Sequence, residues 1–120
     1  MRAFEIDAVD GERREAAVAY REFLRVPALS AGLYVLPAGG VDRQRPHAED
    51  EVYYVVSGRA TVRVGDEQRA VAPGSVVYVP ATVEHRFLDV VEDLRLLVLF
   101  APAASGPDPS PDPVYLGDAT

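Results

Sequence analysis

From Leu33 to Phe100 the chain is a series of short apolar runs, each closed by a turn signal. The runs are GLYVLPAGG, DEVYYVVSG, RATVRVGDEQRAV, GSVVYVP, HRFLDV and DLRLLVLF. Valine and tyrosine dominate them, as residues that suit a pleated, half-buried surface do. Gly58, Gly65-Asp66, Pro73-Gly74 and Pro80-Ala81 separate the runs at the spacing of a sandwich or small barrel. No gap between them holds a βαβ crossover, so the sheets are expected to be antiparallel. One segment departs from this pattern. In ERREAAVAYREFL, residues 12–24, the residues Ala16, Ala17, Tyr20, Phe23 and Leu24 recur at three- and four-residue intervals. That period predicts a helix over 12–24, capped by Asp10, ended by Pro27 and packed on a sheet. After Pro102 the chain turns proline-rich and has little to pack. The expected organisation is one all-β domain over residues 1–103 and a flexible tail over 104–120. Tyr115 and Leu116 are the tail's only evident anchors.

Composition narrows the function. A chain of 120 residues is a single domain by length, and 48% hydrophobic residues are ample for one core. There is no cysteine, so any metal must be held by nitrogen and oxygen. The net charge of −7, with scattered arginines, argues against nucleic acid as a partner. The N-terminus is charged throughout and lacks a signal-peptide core. The longest apolar run, Leu96 to Ala104, is too short to cross a bilayer. A cytoplasmic protein with no membrane partner is expected.

The chemistry concentrates on three residues. His47 and His85 are the only histidines, and each lies beside a strand-like run. In an extended chain alternate residues share a face, so Arg45 and His47 point the same way if that stretch is extended. Glu51 opens the strand VYYVV, with Tyr53 and Val55 on its own side. A carboxylate leading an inward row needs a partner, which a metal or Arg45 would supply. His85 opens a strand after the loop Pro80–Val83, and Phe87 shares its face. In an antiparallel barrel this strand can lie beside the one that starts near Glu51. His47, Glu51 and His85 would then surround one divalent ion, for zinc at roughly 2.0–2.2 Å. Singly, each residue has a plainer reading. A lone strand-end histidine is more often a surface or half-buried polar group, and Glu51 a solvated turn residue. Arg45 is more often a surface charge, and Tyr53, Tyr54 and Tyr78 barrel wall. The joint arrangement carries the metal reading.

With these residues in place the chain resembles the cupin superfamily, specifically its small single-domain members. The first cupin motif runs glycine, five residues, His-x-His, three or four residues, glutamate, six residues, glycine. Gly39, Arg45, His47, Glu51 and Gly58 stand at its positions, with Arg45 where the first histidine belongs. The second motif runs glycine, five residues, Pro-x-Gly, two residues, histidine, three residues, asparagine. Gly74, Pro80 and His85 match it, while Thr82 replaces the glycine and Asp89 the asparagine. Together the motifs span Gly39 to Asp89. The resemblance implies an all-β, conical jelly-roll barrel with a short N-terminal helix and a metal near its open mouth. It also implies a homodimer. The N-terminal segment and the strands Val76–Val79 and Leu94–Phe100 are the candidate interface, because the last of these is apolar on both faces.

Complete family sites use three histidines and the glutamate. Arg45 cannot replace a histidine, because a guanidinium has no lone pair to give. The remaining two imidazoles and one carboxylate suit iron, manganese, nickel or zinc with open positions. Gln44 and Glu49 are nearby reserve oxygens. Three functions remain open. One is a metal-dependent enzyme of oxygenase, isomerase or cyclase type acting on a small acidic organic molecule. Arg45 would grip the acid, and Tyr53, Tyr78 and Phe87 would wall the pocket. Glu49 and Tyr53 are its candidate bases. The second is a non-catalytic cupin that binds or senses a small anionic metabolite through a degenerate metal site. A scaffold role for a partner protein is the third reading.

Overall fold

The computed structural model describes residues 1–105. A helix, α1 (Ile6–Ala16), precedes eight strands. These are β1 (Tyr20–Val26), β2 (Leu29–Leu36), β3 (Asp50–Ser57), β4 (Ala60–Val64), β5 (Glu67–Val71), β6 (Val76–Val79), β7 (His85–Leu88) and β8 (Leu94–Ala101). All pairings are antiparallel. One sheet has the order β1-β2-β8-β3-β6 and the other β5-β4-β7. Their inner faces meet in one core, which includes Tyr34, Leu36, Tyr53, Val55, Val62, Phe87, Leu96 and Phe100. This is the expected antiparallel jelly-roll barrel with a short N-terminal helix.

Two-residue alternation sets the inner surface. In β3, Glu51, Tyr53 and Val55 are buried; in β7, His85 and Phe87; in β8, Leu94, Leu96, Val98 and Phe100. Full burial of a valine, leucine or phenylalanine stabilises by about 1.5–3 kcal/mol. β2 is buried on both faces. Tyr34 and Leu36 point into the barrel, while Leu33 and Val35 lie outside it beneath Val9 of α1. The helix is therefore an external cover, fastened to β8 by Arg95, which reaches Asp7 at 3.0 Å and Asp10 at 3.5 Å.

The helix lies earlier than the 12–24 expected. Residues 20–26 are β1 instead, and Asp10 sits inside the helix, bonded to Arg13 at 2.8 Å rather than capping a terminus. The cause is a β-bulge. Between Glu22 and Leu24 the pairing with β2 shifts by one residue. An inserted residue spaces the buried side chains of β1 at intervals that imitate a helical period. The true helix has few apolar residues, chiefly Ile6 and Val9, and ends where Ala17 turns left-handed at φ 56°.

Turns keep their stereochemistry through changes of residue. Gly58, between β3 and β4, has φ 95°, and a side chain there would run into the Asp93 carbonyl. Thr82 and Asp89, which replace the second motif's glycine and asparagine, take φ 69° and 49°. Ala104 and Ser105, at the start of the expected tail, are bonded to the barrel. Ala104 N–H donates to Ser30 Oγ, its carbonyl accepts from Arg25, and Ser105 N–H donates to Glu49. The rest of that tail, with Tyr115 and Leu116, lies outside the described residues. Among the described residues no helix is long and apolar enough to cross a membrane.

Candidate metal centre

His47, Glu51 and His85 converge. Each offers a ligand atom, and these atoms lie within 4.8 Å of one another. The route differs from the one expected. β7 is not beside β3; it pairs with β4 in the opposite sheet, so His85 reaches Glu51 across the barrel interior. His47 comes from the irregular segment before β3. That segment is held to the loop preceding β7, because Thr82 N–H donates to the His47 carbonyl at 2.7 Å. Ala81 N–H donates to Asp50 at 2.8 Å. The His47 ring meets the edge of Phe100, with centroids 4.8 Å apart.

The donor set fits a cation. Glu51 is 1% exposed, and no backbone N–H meets either carboxylate oxygen; its polar neighbours are His85 Nε2 and the Tyr53 hydroxyl. Such a buried carboxylate is costly unless a positive partner meets it. His85 Nε2 lies 3.2 Å from Glu51 Oε1. His85 Nδ1 lies 3.0 Å from the Val83 carbonyl, so that nitrogen carries a proton and Nε2 is the one turned to the site. Burial works against the charged imidazole. The Glu51 carboxylate, the Val83 carbonyl and the charge of Asp42 outweigh it, and the His85 pKa is raised above its ordinary value. Without an ion, a proton on His85 is what answers Glu51.

A second group of polar residues sits beneath the triad, and nothing in the local spacing of the chain announces it. Asp42 is buried and accepts four hydrogen bonds. Tyr34 Oη at 2.9 Å and Gln44 N–H at 3.1 Å reach Oδ1; Phe87 N–H at 2.9 Å and Gln44 Nε2 at 3.2 Å reach Oδ2. The Phe87 bond caps the free edge of β7 next to His85. Tyr53 Oη donates to Gln44 Oε1 at 2.8 Å and stands 3.1 Å from His85 Nε2. Burial, then the charges of Glu51 and Asp42, hold the Tyr53 pKa well above its ordinary value, so the phenol is neutral.

The remaining expected residues divide. Phe87 is buried and stacks edge-on against Tyr53, with centroids 5.0 Å apart. Tyr78 is 57% exposed and is not a cavity wall. It pairs with Val52, on the face of β3 opposite Glu51 and Tyr53. Arg45 is exposed although His47, two residues on, is half-buried. Glu49 is buried but spends an oxygen on Ser105 N–H, and Gln44 is engaged by Asp42 and Tyr53. A cleft of about 490 Å³ opens along the β7 edge, lined by Gln44 and His85, by Arg63 and Arg86, and by the acidic Asp66 and Glu84.

A family model for the cupin domain matches residues 32–100, which include the whole triad. The chain belongs to the cupin family. This cupin is 55% identical over 105 residues to the protein SCO3923 of Streptomyces coelicolor, covering 88% of this chain and all of that one. It also superposes on TT1209 from Thermus thermophilus with a TM-score of 0.69 at 26% identity, over 86% of this chain and 99% of that one. KdgF from a Halomonas species gives a TM-score of 0.65 at 25% identity, over 72% and 80%. The DMSP lyase DddQ from Ruegeria pomeroyi shares the fold alone, with a TM-score of 0.62 at 22% identity over 69% and 47%.

Proposed function

We propose that this cupin is a metal-dependent enzyme acting on a small acidic organic molecule, with one divalent first-row ion held by His47, Glu51 and His85. The observation that carries the reading is Glu51, a fully buried carboxylate with no backbone donor, facing two imidazoles. Three protein ligands leave positions open, as centres that bind substrate do. A bound ion would supply Lewis-acid polarisation of a substrate oxygen, or a place for dioxygen. The protein's own share is positional. Val83 sets the His85 tautomer, Thr82 and Phe100 hold His47, and Phe87 and Tyr53 exclude water from the floor.

An anionic ligand is supported by charge placement. Arg63 and Arg86 are exposed cross-strand partners on the outer face of the small sheet and line the cleft at the β7 edge together with Asp66 and Glu84. Neither forms an ion pair among the described residues. Adjacent like charges destabilise a sheet, and an anion would relieve them. The exposed apolar side chains of Tyr54, Val76, Tyr78 and Leu99 support a homodimer built on the outer face of the large sheet.

The non-catalytic reading draws on one observation, the arginine in place of a third histidine. The test is turnover. Metal-loaded protein incubated with a panel of small carboxylic acids and followed by mass spectrometry should convert at least one, and Glu51→Ala should abolish the conversion. Binding of such acids with no conversion by any loaded form would overturn the catalytic reading in favour of a binder.

A further inference from the structure

The structure assigns a fourth protein donor to the metal centre: we infer that the Tyr53 hydroxyl oxygen takes the place left by the missing histidine, aimed there by Gln44 and Asp42. This inference rests on the triad reading and deepens it.

Proton positions decide which atom of Tyr53 faces the site. Asp42 accepts from Tyr34, from two backbone N–H groups and from the Gln44 side chain. Four donors around two oxygens are the surroundings of a carboxylate, which can only accept. The Gln44 atom facing Asp42 must therefore be its NH₂ group. That fixes the amide orientation, and the other end, Oε1, must face Tyr53. An amide oxygen only accepts, so with Glu51 engaged by the ion the single phenolic proton goes to Gln44, 2.8 Å away. What Tyr53 presents to His85 Nε2 and the space it shares with Glu51 is a lone pair.

The spacing agrees. Two donors bound to one first-row ion at about 2.1 Å stand roughly 3.0 to 3.4 Å apart at angles of roughly 90° to 110°. Tyr53 Oη is 3.1 Å from His85 Nε2, and Glu51 Oε1 is 3.2 Å from the same nitrogen. The Tyr53 and Glu51 oxygens thus each stand at a ligand-to-ligand distance from His85 Nε2. Arg45, which holds the first histidine's place in the motif, is exposed and offers no lone pair. The Tyr53 ring is held by burial and by Phe87, so its oxygen needs no reorientation to serve.

The experiment is a cobalt(II) titration of wild type, Tyr53→Phe and Gln44→Met, read by affinity and by the visible absorption bands of the bound ion. Those bands report the number and type of donors and do not respond to a purely structural loss. Wild type should bind one cobalt per chain. Tyr53→Phe should bind at least about tenfold more weakly, with a changed band pattern, the scale at which shell residues act on metal affinity. Gln44→Met keeps the phenol but frees its proton to turn toward the centre, and should also change the bands with a smaller loss. Unchanged bands in Tyr53→Phe would overturn the inference, whatever the affinity, and leave the triad standing. If that variant does not fold, Gln44→Met decides by the same criterion. Failure of wild type to bind cobalt would overturn the triad reading and this inference together.

Discussion

Asp42→Asn replaces one oxygen of the most heavily bonded buried carboxylate by an amide of nearly the same shape. Its effect can be worked out atom by atom. If the new NH₂ group faces the Oδ1 side, Tyr34 can rotate its hydroxyl to accept, but the backbone N–H of Gln44 meets a donor and is orphaned. If it faces the Oδ2 side, Gln44 can flip its amide to accept, but the Phe87 N–H is orphaned and Tyr53 loses its acceptor. Either way one buried backbone donor goes unpaired, at about 1–3 kcal/mol, and the surviving bonds lose their charge assistance. The sum is a loss of about 2–4 kcal/mol, or about 8–16 °C in Tm at about 4 °C per kcal/mol for a domain of this size. Urea unfolding followed by circular dichroism measures it, with an unchanged m-value as the sign that two-state behaviour is intact. A loss below about 1 kcal/mol, the value of a single ordinary hydrogen bond, would refute the four-donor account of Asp42.

Other consequences follow from the same geometry. Metal binding needs a neutral His85, so affinity for zinc or nickel should rise with pH through the raised His85 pKa and fall as protons compete below it; calorimetry across about pH 6 to 8 reads this, and pH-independent affinity would contradict it. The metal-free protein has the opposite trend: a raised folded-state pKa gives stability fully present below the ordinary histidine value and lost as pH rises through the folded one, which unfolding at several pH values checks. Gly58→Ala should cost at least about 1–3 kcal/mol, because φ is 95° and the new methyl meets the Asp93 carbonyl; a Tm within error of wild type would refute the strain. Light scattering should report a dimer, with an interface of at least about 1,000 Å² in total. Tyr78→Glu together with Val76→Glu should give a folded monomer, and a dimer unchanged by both would move the interface elsewhere.

The strands and the triad were legible because period-two alternation writes burial directly into the sequence. Glu51, Tyr53 and Val55 share a face in β3 as read, and His85 and Phe87 do so in β7. Thr82 and Asp89 did not obscure the second motif: the backbone keeps a positive φ at both, with ease at Asp89 and at a steric cost at the β-branched Thr82. What failed has identifiable causes. The bulge in β1 disguised a strand as a helix. In β6 every residue is apolar, so nothing distinguished the face of Tyr78 from that of Val79, and only pairing with β3 places Tyr78 outside. Asp42 was invisible because its partner Phe87 is 45 residues away and a single aspartate before a motif reads as a turn. The position of β7 across the barrel, rather than beside β3, is a matter of topology that local spacing does not encode.

The central claim is that His47, Glu51 and His85 hold one ion together. X-ray absorption at the zinc edge, on protein loaded with one zinc per chain, tests it most directly. The chain has only two histidines, so the number of imidazoles around the ion identifies the ligands without a variant. The account predicts two imidazole nitrogens and oxygen donors at about 2.0–2.2 Å. A spectrum with one imidazole or none, or a protein that takes up no zinc, would contradict it.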